Sequence, residues 1–127
     1  MEEEILEKAN YCLKCKNKPC SKACPMSTNI PEFITEVSKK EYQKAYEILR
    51  ENNIFSHICS IVCPQEEQCE GSCVRGIKGT PTQIGKIEKF VNEWAEKNSI
   101  KHNLQVEKTN NKKVAVIGSG PAGMQAA

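Results

Sequence analysis

The chain has 127 residues, with 27% charged, a formal net charge of only +2, one Trp, three Tyr, three Phe and eight Cys. The near-balance of charge argues against a nucleic-acid partner, because such binders usually carry a strongly basic face. No apolar run is long enough to form a membrane-spanning helix, and so few large side chains make only a modest core that calls for staples.

The opening MEEEILEKAN lacks the basic and apolar regions of a secretory signal. The cytoplasm is therefore the expected location, and structural disulfides are disfavoured there. Residues 2–11 predict a short helix with Ile5, Leu6 and Ala9 on one side, running into a first cysteine group. Asn29 is a candidate N-cap for the next helix, although Ile30 sets Pro31 one position late for N1. Phe33, Ile34 and Val37 give that helix its apolar stripe. A helix over about 41–52 places Tyr42, Ala45, Tyr46 and Leu49 on one face, read as core. Residues 54–63 predict another short helix, with Cys59 and Cys63 one turn apart on the same side. A turn-rich stretch containing Gly71, Gly76, Gly79 and Pro81 follows. TQIGKIEKFVNEWAEKN then gives the most regular helix, with Ile84, Ile87, Phe90, Val91 and Trp94 along one face. The expected division is a helical domain over 1–98, a polar linker over 99–112 and the start of a different domain over 113–127.

The cysteines fall in two groups. The first is C-x2-C-x4-C-x3-C-P (Cys12, Cys15, Cys20, Cys24, Pro25), and the second is C-x3-C-P-x5-C-x3-C (Cys59, Cys63, Pro64, Cys69, Cys73). Thiolates suit zinc and iron–sulfur clusters alike. Structural zinc sites usually pair two tight knuckles or add histidine, whereas here one C-x2-C exists and the two histidines are not spaced as zinc ligands. Close cysteines, a remote fourth and a closing Cys-Pro are an iron–sulfur pattern. The spacing thus favours two [4Fe–4S] clusters over a zinc-stapled interaction domain. Lys14, Lys16, Lys18 and Lys22 suit an anionic centre as a group, while any one of them reads as a solvated loop residue. His57 reads as a packing or surface residue.

KKVAVIGSGPAGMQAA changes character, with an apolar run of strand type followed by G-x-G-x-x-G at Gly118, Gly120 and Gly123. The first glycine would make the tight turn, the second let backbone approach a pyrophosphate, and the third allow close helix–strand packing. The acidic residue usual about twenty positions later falls beyond Ala127, so the sequence is expected to be the opening of a longer flavoprotein.

CLKCKNKPCSKACP, ICSIVCPQEEQCEGSC, GTPTQIGKIEKF and KKVAVIGSGPAG, in this order, resemble the N-terminal region of the glutamate synthase small (beta) subunit family. The same region occurs in the NADP-binding subunit of the electron-bifurcating ferredoxin–NADP transhydrogenase and in dihydropyrimidine dehydrogenase. The resemblance implies an all-α domain with two [4Fe–4S] clusters, followed by Rossmann-like domains for FAD and NADPH. It implies electron transfer between the flavin and a partner, the large catalytic subunit of a glutamate synthase-like complex. A transhydrogenase or sulfide-dehydrogenase-like subunit is the alternative within that class. The fragment itself is not expected to be catalytic.

The resemblance also implies a ligand set. Cys12, Cys15, Cys20 and Cys73 would hold the first cluster, and Cys24, Cys63, Cys69 and Glu88 the second. Glu88 matches an oxygen ligand, Gln or Glu, of the relatives. Counting alone divides eight cysteines into two sets of four, which would make Cys59 the ligand and Glu88 an ordinary helix-surface acid. The resemblance favours Glu88.

Overall fold

A computed structural model of the chain describes residues 1–101 and 110–127. Among these residues the fold is all-helical: α1 Glu2–Tyr11, α2 Pro19–Ala23, α3 Ile30–Ser38, α4 Tyr42–Asn52, α5 Ser56–Val62, α6 Ile84–Lys97 and α7 Pro121–Ala126, with 3-10 turns at Gln65–Glu67 and Val74–Ile77. Most of the expected linker lies outside the described residues.

The core is built by α1, α3, α4 and α6. Phe33, Ile34 and Val37 from α3, Ala45 and Leu49 from α4, and Ile87 and Val91 from α6 are fully buried, with Ile5 and Ala9 of α1 closing the end. These are the stripes read from periodicity, and burying each large side chain contributes about 1.5–3 kcal/mol. Leu6, Tyr46, Phe90 and Trp94, expected on the same faces, are only half-buried. Tyr42 packs edge-on to Phe90, with ring centroids 5.3 Å apart, and lies 5.5 Å from Trp94, so α4 and α6 share an aromatic seam. α5 stands apart from this core and packs mainly on α6.

The helix ends show how local signals were used. α1 carries Glu2, Glu3 and Glu4 in its first turn, where the helix dipole favours negative charge. Asn29 does occupy the N-cap of α3, but its side chain makes no cap hydrogen bond. It pairs instead with Glu32 and accepts from Lys18 Nζ at 2.8 Å. The Ile30 N–H is satisfied by Ser21 Oγ at 3.0 Å, which docks the first cysteine loop on α3. α5 ends at Val62, so Cys63 is the C-cap in extended conformation rather than part of the helix. Pro64 accounts for the difference, because the residue before a proline is pushed out of the helical region. Residues 113–117, expected as a strand, form no strand here. A strand needs neighbours to complete its ladder, and a single one has none.

Candidate metal centre

The cysteines lie on α2, on α5 and on the segments that flank them, and their local geometry follows from the residues around them. α1 stops at Cys12, which is extended. Lys14 and Lys18 then adopt left-handed backbone (φ 52° and 46°), curling the chain between Cys12 and Cys20. Pro19 starts α2 at a first-turn position, where its missing N–H costs nothing. Cys24 ends α2 in extended conformation, ahead of Pro25, just as Cys63 precedes Pro64. Between Cys69 and Cys73 the chain turns at Gly71, whose N–H donates to Gln65 O at 3.1 Å. A Cβ there would lie 2.1 Å from the Glu66 carbonyl oxygen, so the turn requires glycine.

Arg75 and Tyr11 bring the two cysteine groups together. The Arg75 guanidinium lies 4.2 Å from the centre of the Tyr11 ring, and its Nε donates to Tyr11 O at 2.9 Å. Tyr11 Oη donates to Thr80 O at 3.0 Å. This clamp holds the Cys73 segment against the end of α1. In consequence Cys12, Cys15, Cys20 and Cys73 line one enclosed, largely apolar cavity, walled by Pro19, Ile30, Pro31, Ile34 and Ile84. Backbone N–H groups already address two of its sulfurs: Lys14 N donates to Cys12 Sγ and Thr82 N to Cys73 Sγ, each at 3.4 Å. The Cys73 thiol donates to Thr82 Oγ1 at 3.7 Å, and Thr82 is fully buried. Burial raises the Cys12 thiol above its ordinary range and pushes Cys20 up to about 11.

The second constellation lies where α2, α5, the Cys69 loop and α6 meet. Burial pushes Cys63 up to about 11, with Cys59, Glu88 and Cys24 adding to the effect. Burial likewise pushes Cys69 up to about 12, and Glu70, Cys24 and Glu88 add their charge. Glu88, half-buried on α6, is itself raised to about 7 by burial, a shift only partly offset by the hydrogen bond it accepts from Ser56 Oγ at 2.7 Å. Cys59 faces both ways: it neighbours Cys63, accepts from Asn53 Nδ2 at 3.2 Å, and lines an apolar cavity with Met26, Phe55, Ile58 and Met124. His57 stays at the surface, 3.9 Å from Glu96. The lysines of the first loop are partly engaged, Lys14 with Ser38 Oγ at 3.0 Å and Lys18 with Glu32 at 2.6 Å.

The donor set is chemically suited to iron–sulfur ligation, since soft thiols converge from distant segments with backbone donors to their sulfurs. Among the described residues no three His, Cys, Asp or Glu side chains are grouped to hold a single metal ion. Burial thus favours the protonated thiol at Cys12, Cys20, Cys63 and Cys69, so metal loading must release protons from them.

Sequence reasoning missed Ser56, Asn92, Asn53 and Thr82, all buried and polar. One signal was visible: Asn92 lies one turn beyond Glu88, beside the apolar stripe of α6. The glycine-rich segment near the C-terminus turns into α7. Gly118 has a left-handed φ of 121°, a Cβ on Gly123 would lie 2.3 Å from Gly118 O, and Gly120 faces open space.

A fold built around two converging cysteine groups is that of an iron–sulfur domain. The chain belongs to the family described as dihydropyrimidine dehydrogenase domain II, 4Fe-4S cluster, whose model matches residues 1–100. It is 37% identical over 121 residues to the NAD-dependent dihydropyrimidine dehydrogenase subunit PreT of Escherichia coli, covering 95% of this chain and 29% of that protein. It is also 37% identical over 134 residues to the glutamate synthase [NADPH] small chain of Azospirillum brasilense, covering 99% of this chain and 26% of the relative. The putative oxidoreductase AegA of Escherichia coli is 34% identical over 127 residues, 98% of this chain and 19% of its own length. The chain thus spans less than a third of the curated relatives it matches. It is an iron–sulfur electron-transfer domain related to these oxidoreductases. No helix among the described residues is long and apolar enough to cross a membrane.

Proposed function

We propose that this domain holds two [4Fe–4S] clusters and serves an FAD- and NADPH-dependent oxidoreductase of the glutamate synthase small-subunit type. Cys12, Cys15, Cys20 and Cys73 would hold the first cluster, and Cys24, Cys63, Cys69 and Glu88 the second. When bound, the clusters supply one-electron carriers between a flavin and a partner subunit. The protein's own part is to fix the sulfurs, donate hydrogen bonds to them and exclude water. The observation that carries the reading is that Cys73 shares one cavity with Cys12, Cys15 and Cys20 despite its distance in sequence. Glu88 is favoured over Cys59 because its charge bears, with that of Cys24, on both the Cys63 and Cys69 thiols, whereas Cys59 bears on its neighbour Cys63.

On this reading residues 1–98 form the cluster domain, 99–112 a linker and 113–127 the start of an FAD domain, with Gly118, Gly120 and Gly123 at its phosphate turn. A cytoplasmic location and a large catalytic subunit as partner go with it. Anaerobic purification followed by iron, sulfide and zinc analysis tests the proposal. About eight irons and eight sulfides per chain, in a brown protein bleached by dithionite, are expected for two clusters of this type. A colourless protein with stoichiometric zinc overturns it.

A further inference from the structure

Under α5 lies a polar chain that ties this helix to α6. Ser56, in the first turn of α5, is fully buried, and Asn92 on α6 is 4% exposed. Asn92 Nδ2 donates to Ser56 Oγ at 3.0 Å and to the Glu88 carbonyl oxygen at 2.9 Å. Ser56 Oγ in turn donates to Glu88 Oε1 at 2.7 Å. With the Asn92 amide donating into Ser56 Oγ, the Ser56 proton goes to Glu88 when that carboxyl is ionised, as it would be as a ligand. Glu88 Oε2 takes no protein hydrogen bond among the described residues. Burying polar side chains in a helix seam is costly unless they are satisfied, and the Ser56 and Asn92 donors are satisfied within this chain.

We propose that Ser56 and Asn92 are positioning residues for Glu88, a one-way hydrogen-bond relay that ties up Oε1, leaves Oε2 as the single ligating oxygen, and raises the potential of the second cluster. The inference rests on the proposed reading of Glu88 as a ligand. A donor to the carboxylate withdraws charge from it, which weakens its donation to the metal and makes reduction easier. Aligning the ligand in advance also spares the ordering that a free glutamate side chain would undergo on binding. Among the described residues neither side chain hydrogen-bonds a cysteine sulfur, so the relay should tune one site and leave the other alone.

The test uses the anaerobic holo protein, with the midpoint potential and reduced-state electron paramagnetic resonance signal of each cluster as readouts. Ser56→Ala is expected to move the second-cluster potential to a more negative value and leave the first unchanged. Asn92→Leu, which keeps the volume and removes the donor, should move it the same way by less. In a Glu88→Ala background both effects should vanish, because residues acting through one group are not additive. Should Ser56→Ala fail to load its clusters, Asn92→Leu decides by the same criterion. If Glu88→Ala changes the second signal while Ser56→Ala and Asn92→Leu do not, the relay is wrong and the ligand reading stands. If Glu88→Ala changes nothing, the ligand reading fails and the relay fails with it. Equal shifts at both clusters would mean a general structural role and would also overturn the relay.

Discussion

The two cysteine constellations draw on the same two cysteine-rich segments yet offer different surroundings. The first is largely apolar: four thiols line a cavity walled mainly by prolines and isoleucines, with backbone N–H groups on two sulfurs. The second is more polar: the Glu88 carboxylate, held by Ser56 with Asn92 behind it, stands beside the thiols, on a helix pair whose α5 also exposes Ile58, Ile61 and Val62. Donor type, hydrogen bonding and exposure are the levers by which a protein sets cluster potential. On the proposed two-cluster reading, the difference would give one small helical scaffold two centres of unequal potential.

The harshest way to break the comparison is to remove the metal from both sites. The buried stripes of α3, α4 and α6 do not depend on cysteine, whereas the segments around residues 12–25 and 59–82 have little apolar core of their own. Chelation under anaerobic conditions should lose α2, α5 and both 3-10 turns, seen as a drop in far-ultraviolet helical signal and new amide exchange there. An apo form as protected as the holo form would show that the loops stand without metal.

A single atom should come close to that effect. Gly71→Ala sets a methyl group 2.1 Å from the Glu66 carbonyl oxygen, a backbone atom that cannot turn aside. The loop carries Cys69 on one side and Cys73 on the other, so both sites should load poorly. The strain is expected to cost about 3 kcal/mol, the upper part of the range for overpacking, and thermal unfolding checks it. Cys20→Ala and Cys69→Ala sharpen the comparison instead. Each should remove one cluster, and about half of the bound iron, while the signal of the other persists. Loss of both clusters in either variant would mean that the ligand sets are shared differently.

Much of this arrangement could be read from sequence wherever the cause was local. α1 and the stripes of α3, α4 and α6 follow from spacing alone, because a helix face repeats within a few residues. Cys63 was misread as helical although Pro64 stood beside it. α2 was overlooked because PCSKA read as ligand spacing, even though Pro19 marked a helix start. The N-cap at Asn29 was legible as a position, but the diversion of its side chain to Lys18 and Glu32 depends on the folded loop. Convergence of Cys73 on Cys12 was reached through family resemblance rather than spacing. The Arg75–Tyr11 clamp that accompanies it is a contact between residues 64 apart in sequence. The Ser56–Glu88–Asn92 chain was hidden for the same reason, since nothing local says that α5 lies on α6.

Thr82 provides a finer comparison. Its buried hydroxyl faces the Cys73 sulfur while its N–H donates to the same atom. Thr82→Val keeps the shape and the N–H and removes only the hydroxyl, at a cost of about 1 kcal/mol. A small potential shift confined to the first cluster is expected, the counterpart of Ser56→Ala at the second. A shift at the second cluster instead would dissolve the separation between the two sites.

The smallest effect should ignore the distinction altogether. Tyr42 sits on the aromatic seam of the core, and its Oη donates to Glu2 Oε1 at 2.7 Å. Burial, then the hydrogen bond and charge of Glu2, push it up to about 12 from an ordinary 10. The folded state thus keeps this proton where the unfolded chain has lost it. Its contribution to stability is complete below pH 10 and is lost as pH rises from about 10 to about 12. In that window the holo protein should lose stability more steeply than Tyr42→Phe, with tyrosinate absorbance reporting the same ionisation. Because Tyr42 joins α1, α4 and α6 and touches neither cysteine loop, both cluster signals should fade together as the core loosens. Fading of one cluster before the other would show that the helical core supports the two sites unequally, and that their difference reaches beyond their ligands.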